Sequence, residues 1–392
     1  MPHVTRREML KLSGGLAGMA VLGIMPGQGR AAAPAATVLD TRVISPQPHL
    51  YCGWSTLTRR KNGQLLLAYS GGRVAHVCPF GRVELMTSDD NGETWTWPRV
   101  LLDSAIDDRD AGVLETKSGT LLVTTFTSLA FEPGLARAEK IPAGQEGAWD
   151  ADRLKSWQAA RDRLSPEQRQ AELGMWMIRS TDGGLNWSPK YDCLVSSPHG
   201  PIQLADGRLL YAGKELWRGE RRVGVCESTD DGQTWRWLAG IPTRDGDDRA
   251  NYHEPHAVET ASGKIIVHIR NHNATNARET LQTESLDGGK TWSKPHPIGV
   301  WGLPSHLLRL KDDRLLMSYG HRRRPFGNQV RLSSDEGNTW SEAIMLSTDG
   351  TSGDLGYPST VQLDDNTLLT VWYEKMKDSP NAVLRQARWK LG

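Results

Sequence analysis

Short apolar runs separated by tight polar turns recur along the whole chain. The clearest lie at residues 202–210 and 361–369, where two apolar runs flank Asp-Gly or Asp-Asn. Similar units begin near Trp54, Gly112, Ala257 and Leu307. Two β-type runs joined by such a turn are the strongest short-range signal for a β-hairpin. The pattern therefore predicts six hairpins.

An eight-residue motif, Ser-x-Asp-x-Gly-x-Thr/Asn-Trp, follows five of these hairpins. Its copies are residues 88–95, 180–187, 228–235, 285–292 and 333–340. The Asp can accept hydrogen bonds from backbone N–H groups within the turn, and the Gly can supply a positive φ. The Trp provides a large apolar body that can pack between sheets.

Six repeated units of this kind predict an all-β fold, a six-bladed β-propeller. The sixth unit lacks the motif, so its sheet needs strands from both chain ends. We expect residues 383–389 and an N-terminal strand at 37–44 to supply them. Closure by both ends would leave no exposed sheet edge.

One segment, at about residues 130–174 in the second unit, departs from the strand pattern. Leu154, Trp157, Ala160 and Leu164 follow helical spacing, and Ser165-Pro166 is a helix-start signal. We predict a helical insertion in blade two. It either decorates the surface or covers the central cleft, and the second interpretation is preferred.

The N-terminal segment resembles a twin-arginine export signal. Arg6-Arg7 precede an apolar run at 12–25 and a small-residue stretch at 31–36. This divides the chain into a signal peptide at 1–36 and a propeller domain at 37–392, with a periplasmic or secreted location. No later stretch is apolar and long enough to predict a membrane span.

Composition narrows the class of partner. The formal net charge is +1, so no basic field favours nucleic acid. The 15 Trp against 4 Phe fit a repeated Trp position.

The four cysteines are Cys52, Cys78, Cys193 and Cys226, with no C-x-x-C spacing. An oxidising compartment leaves disulfides open, but buried free thiols are slightly preferred.

The motif and the six hairpins resemble the bacterial sialidase superfamily, where the turn is called an Asp box or BNR repeat. The resemblance covers nearly the whole mature chain. It implies a pocket on the propeller axis with a Tyr nucleophile, a Glu that activates it, an Asp acid/base, a second Asp and three Arg that clamp a carboxylate. The boxes lie on the rim in that family, so function depends on the inner strands.

The resemblance assigns five positions of this chain. Glu254, in Asn-Tyr-His-Glu-Pro-His, matches the activating Glu, and Arg270 matches the clamp Arg that ends the next strand. Tyr357, in Gly-Tyr-Pro-Ser, matches the nucleophile. Asp110 matches the second pocket Asp, and Arg73 matches the Arg that ends the first hairpin.

A further clamp Arg is implied in the fifth unit, at Arg322 or one of its two neighbours. Three departures then alter the pocket. The first strand carries Gly53-Trp54 where sialidases carry Arg-Ile-Pro, and the loop after the first hairpin has no Asp. The Glu of the last blade that supports the first Arg is offset by one residue, with Tyr373 near its place.

Histidines recur at hairpin and inner-strand ends. An imidazole can replace a carboxylic acid as proton donor, so His76, in the loop that lacks the Asp, is a candidate catalyst. Substrate-binding candidates are His199, His253, His256 and His306. A metal site on three of these is not favoured, and no cofactor is indicated.

We predict an exo-acting, retaining glycoside hydrolase of the sialidase type. Its partner is a glycan with a terminal acidic or related sugar, whose ring could stack on Trp54. Because one clamp Arg is missing, simple sialosides should be poor substrates. Two alternatives stay open: a lyase acting on a uronic-acid polysaccharide through His and Tyr, and a glycan-binding propeller without catalysis.

Overall fold

The computed structural model describes Ala32 and residues 34–217 and 219–392. Almost all of the predicted signal peptide, residues 1–31 and 33, lies outside the described residues. Within the described ranges the strands form six four-stranded antiparallel sheets. The predicted all-β, six-bladed propeller is confirmed.

The strands follow chain order, and the first of them, β1 (Ala36–Val43), belongs to the last blade. Blade one contains β2 (Tyr51–Arg59), β3 (Leu65–Arg73), β4 (Arg82–Ser88) and β5 (Arg99–Leu102). Blade two contains β6 (Asp107–Glu115), β7 (Leu121–Ser128), β8 (Met175–Ser180) and β9 (Tyr191–Asp192). Blade three contains β10 (Ile202–Gln203), β11 (Leu209–Lys214), β12 (Val223–Ser228) and β13 (Arg236–Gly240).

The second half of the ring repeats this arrangement. Blade four contains β14 (Tyr252–Glu259), β15 (Ile265–Asn271), β16 (Leu281–Ser285) and β17 (His296–Pro297). Blade five contains β18 (Ser305–Arg309), β19 (Leu315–His321), β20 (Gly327–Ser333) and β21 (Ile344–Met345). Blade six contains β22 (Leu355–Gln362), β23 (Leu368–Lys375) and β24 (Ala382–Leu391), with β1 outermost.

Blade six closes the ring with strands from both ends of the described chain, as the sequence predicts. β1 pairs antiparallel with β24, and Thr41 lies opposite Ala387. A β-bulge interrupts this pairing between Val38 and Asp40. The pairing covers the outer edge of β24, which would otherwise expose unpaired backbone N–H and C=O groups.

The hydrophobic core lies between neighbouring blades. Leu67 of blade one packs with Val371 of blade six, and Leu85 of blade one packs with Val123 of blade two. Equivalent clusters join the other neighbouring pairs. Each sheet therefore buries both of its faces, which explains why many of its strands are continuously apolar.

The five Asp boxes form the predicted turns between the third and fourth strands. In the first box, Asp90 Oδ1 accepts hydrogen bonds from Thr94 N and Ser88 Oγ at 2.9 and 2.8 Å. Gly92 has a φ of +85°. The box Trp95 donates from Nε1 to Gln386 of blade six at 2.8 Å. This box thus connects blade one to blade six.

The helical insertion follows β7 and contains α1 (Glu132–Ala138), α2 (Ala151–Asp162) and α3 (Pro166–Ala171). Asp150 caps α2, and Ser165 forms a capping box with Gln168 at the start of α3. Short 3₁₀ turns lie at Arg249–Asn251 and Thr275–Arg278. Trp157 of α2 packs with Cys78 and near Phe80, so the insertion supports the loop that follows β3.

The four cysteines are buried free thiols, in agreement with the preferred interpretation. Over the described ranges we find no helix whose length and apolar character would suit a bilayer span.

Candidate active site

Four inner strands carry the same backbone irregularity where they enter their sheets. Trp54, Asp110, Glu254 and Tyr357 have φ values of +54°, +51°, +46° and +53°. The pairing of each strand with its neighbour shifts register at that residue. A β-bulge re-aims a side chain, and a non-glycine residue in left-handed conformation is strained and concentrated at functional sites.

Tyr357, Glu254 and Arg270 form one hydrogen-bonded cluster. The Tyr357 hydroxyl donates to Glu254 Oε1 at 2.6 Å. Arg270 Nη1 donates to both Glu254 oxygens, at 2.9 and 2.7 Å, and to the Tyr357 oxygen at 3.1 Å. The phenol therefore has a carboxylate that can take its proton and a cation that can stabilise the resulting charge.

The charges of the cluster set its protonation. Burial raises the pKa of Glu254, but the charge and hydrogen bonds of Arg270 together with the Tyr357 hydroxyl bring it below its usual value. Burial and then the Glu254 charge raise the pKa of Tyr357 well above its usual value. Glu254 is thus an ionised base next to a protonated phenol at neutral pH.

Asp110 is buried and lines the same cavity as Glu254. Burial first, and then the charge of Glu254, raise the pKa of Asp110 to about 7, against the opposing charge of Arg109. Two neighbouring carboxyl groups whose pKa values differ are typical of an acid and a base in an active site.

A cavity of about 230 Å³ opens beside these two carboxyls. Phe126, Leu216 and Trp217 form its apolar wall, and Lys214 and His253 contribute polar groups. Burial lowers the pKa of Lys214 to about 8 and that of His253 to about 4. Of the four predicted substrate-binding histidines, His253 therefore does line the cavity.

Two further arginines lie near the aromatic residues of the site. Arg322 donates from Nε to the Leu355 carbonyl at 2.9 Å, and its Cζ lies 5.7 Å from the Tyr357 ring centroid. This selects Arg322 as the fifth-blade position near the nucleophile candidate. Arg109, which the sequence analysis missed, lies with its Cζ 4.3 Å from the Trp54 ring centroid.

Trp54 and Arg73 do not have the predicted accessibility. Trp54 is 2% exposed, so its faces are not free for sugar stacking. Arg73 is fully buried on Trp54 and forms an ion pair with Asp107, with Nη1 to Oδ1 at 2.6 Å and Nη2 to Oδ2 at 3.0 Å. Both predictions of substrate contact are corrected: Trp54 is a buried ring, and Arg73 is a buried cation that packs against it.

His199, His256 and His306 also differ from prediction. Their rings form a buried trio with centroids 4.7 to 5.3 Å apart. His256 Nδ1 accepts from Leu307 N, and burial lowers the pKa of all three rings, to about 3 for His306. They are buried, neutral groups that pack against one another.

The departure in the last blade is visible in the structure. Glu374 faces away from Tyr357: its Oε2 accepts from Trp372 Nε1 at 2.9 Å and from Arg385 Nη1 at 2.6 Å. Tyr373 takes the inner face instead, with its ring centroid 5.8 Å from that of Tyr357. Adjacent strand residues point to opposite faces, which explains the exchange.

His76 lies in the loop after β3, and its imidazole is partly exposed. Its Nδ1 is 2.7 Å from the Tyr51 hydroxyl and 2.9 Å from Asp354 Oδ1. Asp354 and Tyr51 were not identified from the sequence, although each lies three residues before a bulge residue. That spacing is the signal that could have found them.

No group of three or more His, Cys, Asp and Glu side chains with a metal-binding arrangement occurs among residues 34–217 and 219–392.

Comparison with known proteins identifies the family. Residues 148–370 match the BNR repeat-like domain. Sialidases of Bacteroides fragilis and Micromonospora viridifaciens are each 25% identical, over 49% and 43% of this chain. These matches cover 38% and 31% of the two relatives, so the chain spans about a third of their length.

Solved structures share the fold. A protein of unknown function from Dyadobacter fermentans superposes with a TM-score of 0.72 at 24% identity, over 92% of this chain and all (100%) of that one. The NanB sialidase of Streptococcus pneumoniae gives 0.60 at 14% identity, over 89% and 70%. The six blades, the five Asp boxes and the matching domain together place this chain in the BNR-repeat family of the sialidase superfamily.

Proposed function

We propose that the protein is an exo-acting, retaining glycoside hydrolase of the sialidase type that removes a terminal acidic sugar from a glycan. The observation that carries this proposal is the 2.6 Å hydrogen bond from Tyr357 to Glu254, with Arg270 on both partners. A phenol next to an ionised carboxylate is a nucleophile with its base in place.

In the first step, Tyr357 Oη attacks the anomeric carbon while Glu254 takes the phenol proton. The bond to the leaving oxygen breaks, and His76 in its protonated form donates a proton to that oxygen. A glycosyl-tyrosine results. Water then attacks the same carbon, His76 accepts a water proton, and Glu254 returns its proton to Tyr357. Two inversions give net retention.

A neutral nucleophile suits an anionic sugar, because an ionised carboxylate in that place would repel the substrate. Arg270 and Arg322 lie next to Tyr357 and can hold a substrate carboxylate through charge-assisted hydrogen bonds. Trp54 replaces the third, first-strand arginine. We therefore expect weak or absent hydrolysis of simple sialosides and better turnover of another acidic sugar.

The test is a screen of aryl glycosides of acidic sugars and of uronic-acid polysaccharides, followed by NMR of the first-formed anomer. Tyr357→Phe should reduce turnover by at least about 100-fold with the fold intact. Tyr373→Phe is the matched control, since it removes a neighbouring phenol hydroxyl and should retain activity. Equal activity of wild type and Tyr357→Phe would contradict the proposal, and robust sialoside turnover would contradict its specificity.

The lyase alternative needs Tyr357 as a base or an acid without a nucleophilic role. The raised pKa of Tyr357 disfavours a phenolate base, and the short bond to Glu254 favours activation for attack. A lyase product contains a double bond that absorbs in the ultraviolet, so the same screen separates the two reactions. Binding without turnover in every case would support the non-catalytic alternative.

A further inference from the structure

Two side chains, from two blades, converge on one imidazole nitrogen. His76 Nδ1 lies 2.7 Å from the Tyr51 hydroxyl and 2.9 Å from Asp354 Oδ1. Tyr51 itself donates to the same carboxylate oxygen at 2.9 Å. Tyr51 gives its only proton to Asp354, so its oxygen can only accept from the imidazole. The Asp354 carboxylate oxygen also only accepts, and Nδ1 must therefore carry a proton.

That arrangement fixes the chemistry of the other ring nitrogen. A neutral imidazole with its proton on Nδ1 has an acceptor at Nε2, and the protonated ring has a donor there. Asp354 stabilises the protonated ring through its charge. Burial raises the pKa of Asp354, but the hydrogen bond and charge of His76 together bring it below its usual value, so the carboxyl is ionised near neutrality.

The loop that carries His76 is held from several sides. The His76 carbonyl oxygen accepts from Arg73 Nη2 at 3.0 Å, and the His76 ring contacts Trp54 edge-on at a centroid distance of 5.0 Å. The insertion packs against Val77 and Phe80 of the same loop. The side chain is nevertheless 46% exposed, so substrate can reach it.

We infer that Asp354 and Tyr51 are positioning residues that fix the His76 tautomer, so that Nε2 delivers a proton to the leaving glycosidic oxygen and later accepts one from water. This inference rests on the proposed hydrolase function. It further implies a substrate class: glycans whose leaving group is an unactivated sugar hydroxyl, which cannot depart without a proton.

The two catalytic functions are also linked through the chain. Asp354 and Tyr357 lie three residues apart at the start of β22, and Tyr51 and Trp54 lie three apart in β2. Among charged groups, Asp354 contacts the imidazole directly. Arg73 and Arg109 donate to the His76 carbonyl oxygen, and the charge of Arg322 lowers the pKa of Asp354. His76 and Tyr357 both contact the Trp54 ring edge-on, at centroid distances of 5.0 and 6.4 Å, so one buried ring lies between nucleophile and acid.

The first experiment is independent of catalysis. ¹⁵N NMR of histidine-labelled protein, with His76 assigned by its loss in His76→Gln, reports which ring nitrogen holds the proton. We expect Nδ1–H in the neutral wild-type ring and a mixed population in Asp354→Asn. Asp349→Asn is the matched control, because it removes a blade-six carboxylate that pairs with Arg385 and should leave the signals unchanged. An Nε2–H wild-type ring, or no change in Asp354→Asn, would overturn the inference.

The second experiment compares two leaving groups. Asp354→Asn should lower kcat/KM about 10-fold to 100-fold for a substrate with a sugar leaving group, and less than about 3-fold for an aryl glycoside. Equal losses on both substrates would refute a role in proton donation.

Failure of the underlying hydrolase proposal has a different signature. If no glycoside is cleaved, or if Tyr357→Phe has no effect, the glycosidase reaction is wrong. The NMR result then still decides whether Asp354 and Tyr51 fix the imidazole. Tyr51→Phe gives a second check, with a smaller expected tautomer change because Asp354 remains.

Discussion

Individual residues in the pocket have different roles even when they carry the same charge. Arg270 reaches the nucleophile candidate directly, with Nη1 3.1 Å from the Tyr357 oxygen. Arg73 is fully buried and is held by Asp107 on the far side of Trp54. Only burial and partners separate a group that can bind substrate from one that stabilises the pocket.

Replacing Arg73 tests this distinction. Arg73→Met would leave Asp107 as a buried charge without its main partner, so the free energy of unfolding should fall by about 3–5 kcal/mol. Urea unfolding measures the loss. Arg322→Met, near the pocket surface, should cost less than about 1 kcal/mol in stability while weakening substrate binding. The reverse ranking of the two variants would show that the Arg73–Asp107 ion pair does not stabilise the fold.

The protonation of Asp110 gives a pH-dependent prediction. Its pKa is about 7 in the folded protein and about 4 in an unfolded chain, so the folded state binds an extra proton between these values. Its contribution to stability is therefore complete below about pH 4 and is lost as pH rises to about 7.

The measurement is the free energy of unfolding of wild type and Asp110→Asn at several pH values. The variant cannot titrate at this position, so its stability relative to wild type should increase from acid to neutral pH. A constant difference between the two proteins across that range would show that Asp110 is not protonated in the fold.

Single turns and strands determine how the blades meet. In the fifth Asp box, Gly337 has a φ of +81°, and an added Cβ would lie 2.4 Å from Ile266 Cδ1 of blade four. Gly263, in a hairpin turn of blade four, has a similar φ of +86° but no heavy atom within 4 Å of an added Cβ. The two glycines share a positive φ, which only glycine adopts without strain, and they differ in packing.

This pair gives a matched test. Gly263→Ala should cost about 1–2 kcal/mol from the left-handed backbone alone. Gly337→Ala should cost about 1–3 kcal/mol more, because the methyl group must displace a packed side chain between blades. Thermal or denaturant unfolding measures both. Similar losses would mean that the box does not constrain the blade contact.

The whole molecule depends on closure of the ring. β1 pairs with β24 over its whole length, from Ala36 opposite Leu391 to Val43 opposite Arg385. Without β1, β24 would become an exposed edge strand at the junction between the first and last blades.

A chain beginning at residue 44 should therefore melt at least about 5 °C below one beginning at residue 34. It should also associate in a concentration-dependent manner, since an unpaired edge can accept a strand from another molecule. Calorimetry and analytical ultracentrifugation measure the two effects. Equal melting temperatures and a monomeric short form would show that closure by β1 is dispensable.

Much of the fold could be predicted because its signals are local. A hairpin turn, an Asp box or a capped helix is encoded within about eight residues, and repetition of the first two determined the blade number. The positions of Glu254, Arg270 and Tyr357 followed from family resemblance, and the structure brings them into hydrogen-bonding contact.

Only the tertiary structure decided which of the predicted site residues are accessible. His256 and His306 lie in inner strands, as His253 does, and His199 lies in the turn before one. The fold nevertheless buries these three in a neutral trio while His253 lines the cavity. Likewise Tyr51, His76 and Asp354 are far apart in the chain and meet only because blade six closes on blade one. Local sequence determines backbone conformation through short-range hydrogen bonds and sterics, whereas burial and partners depend on which blades become neighbours.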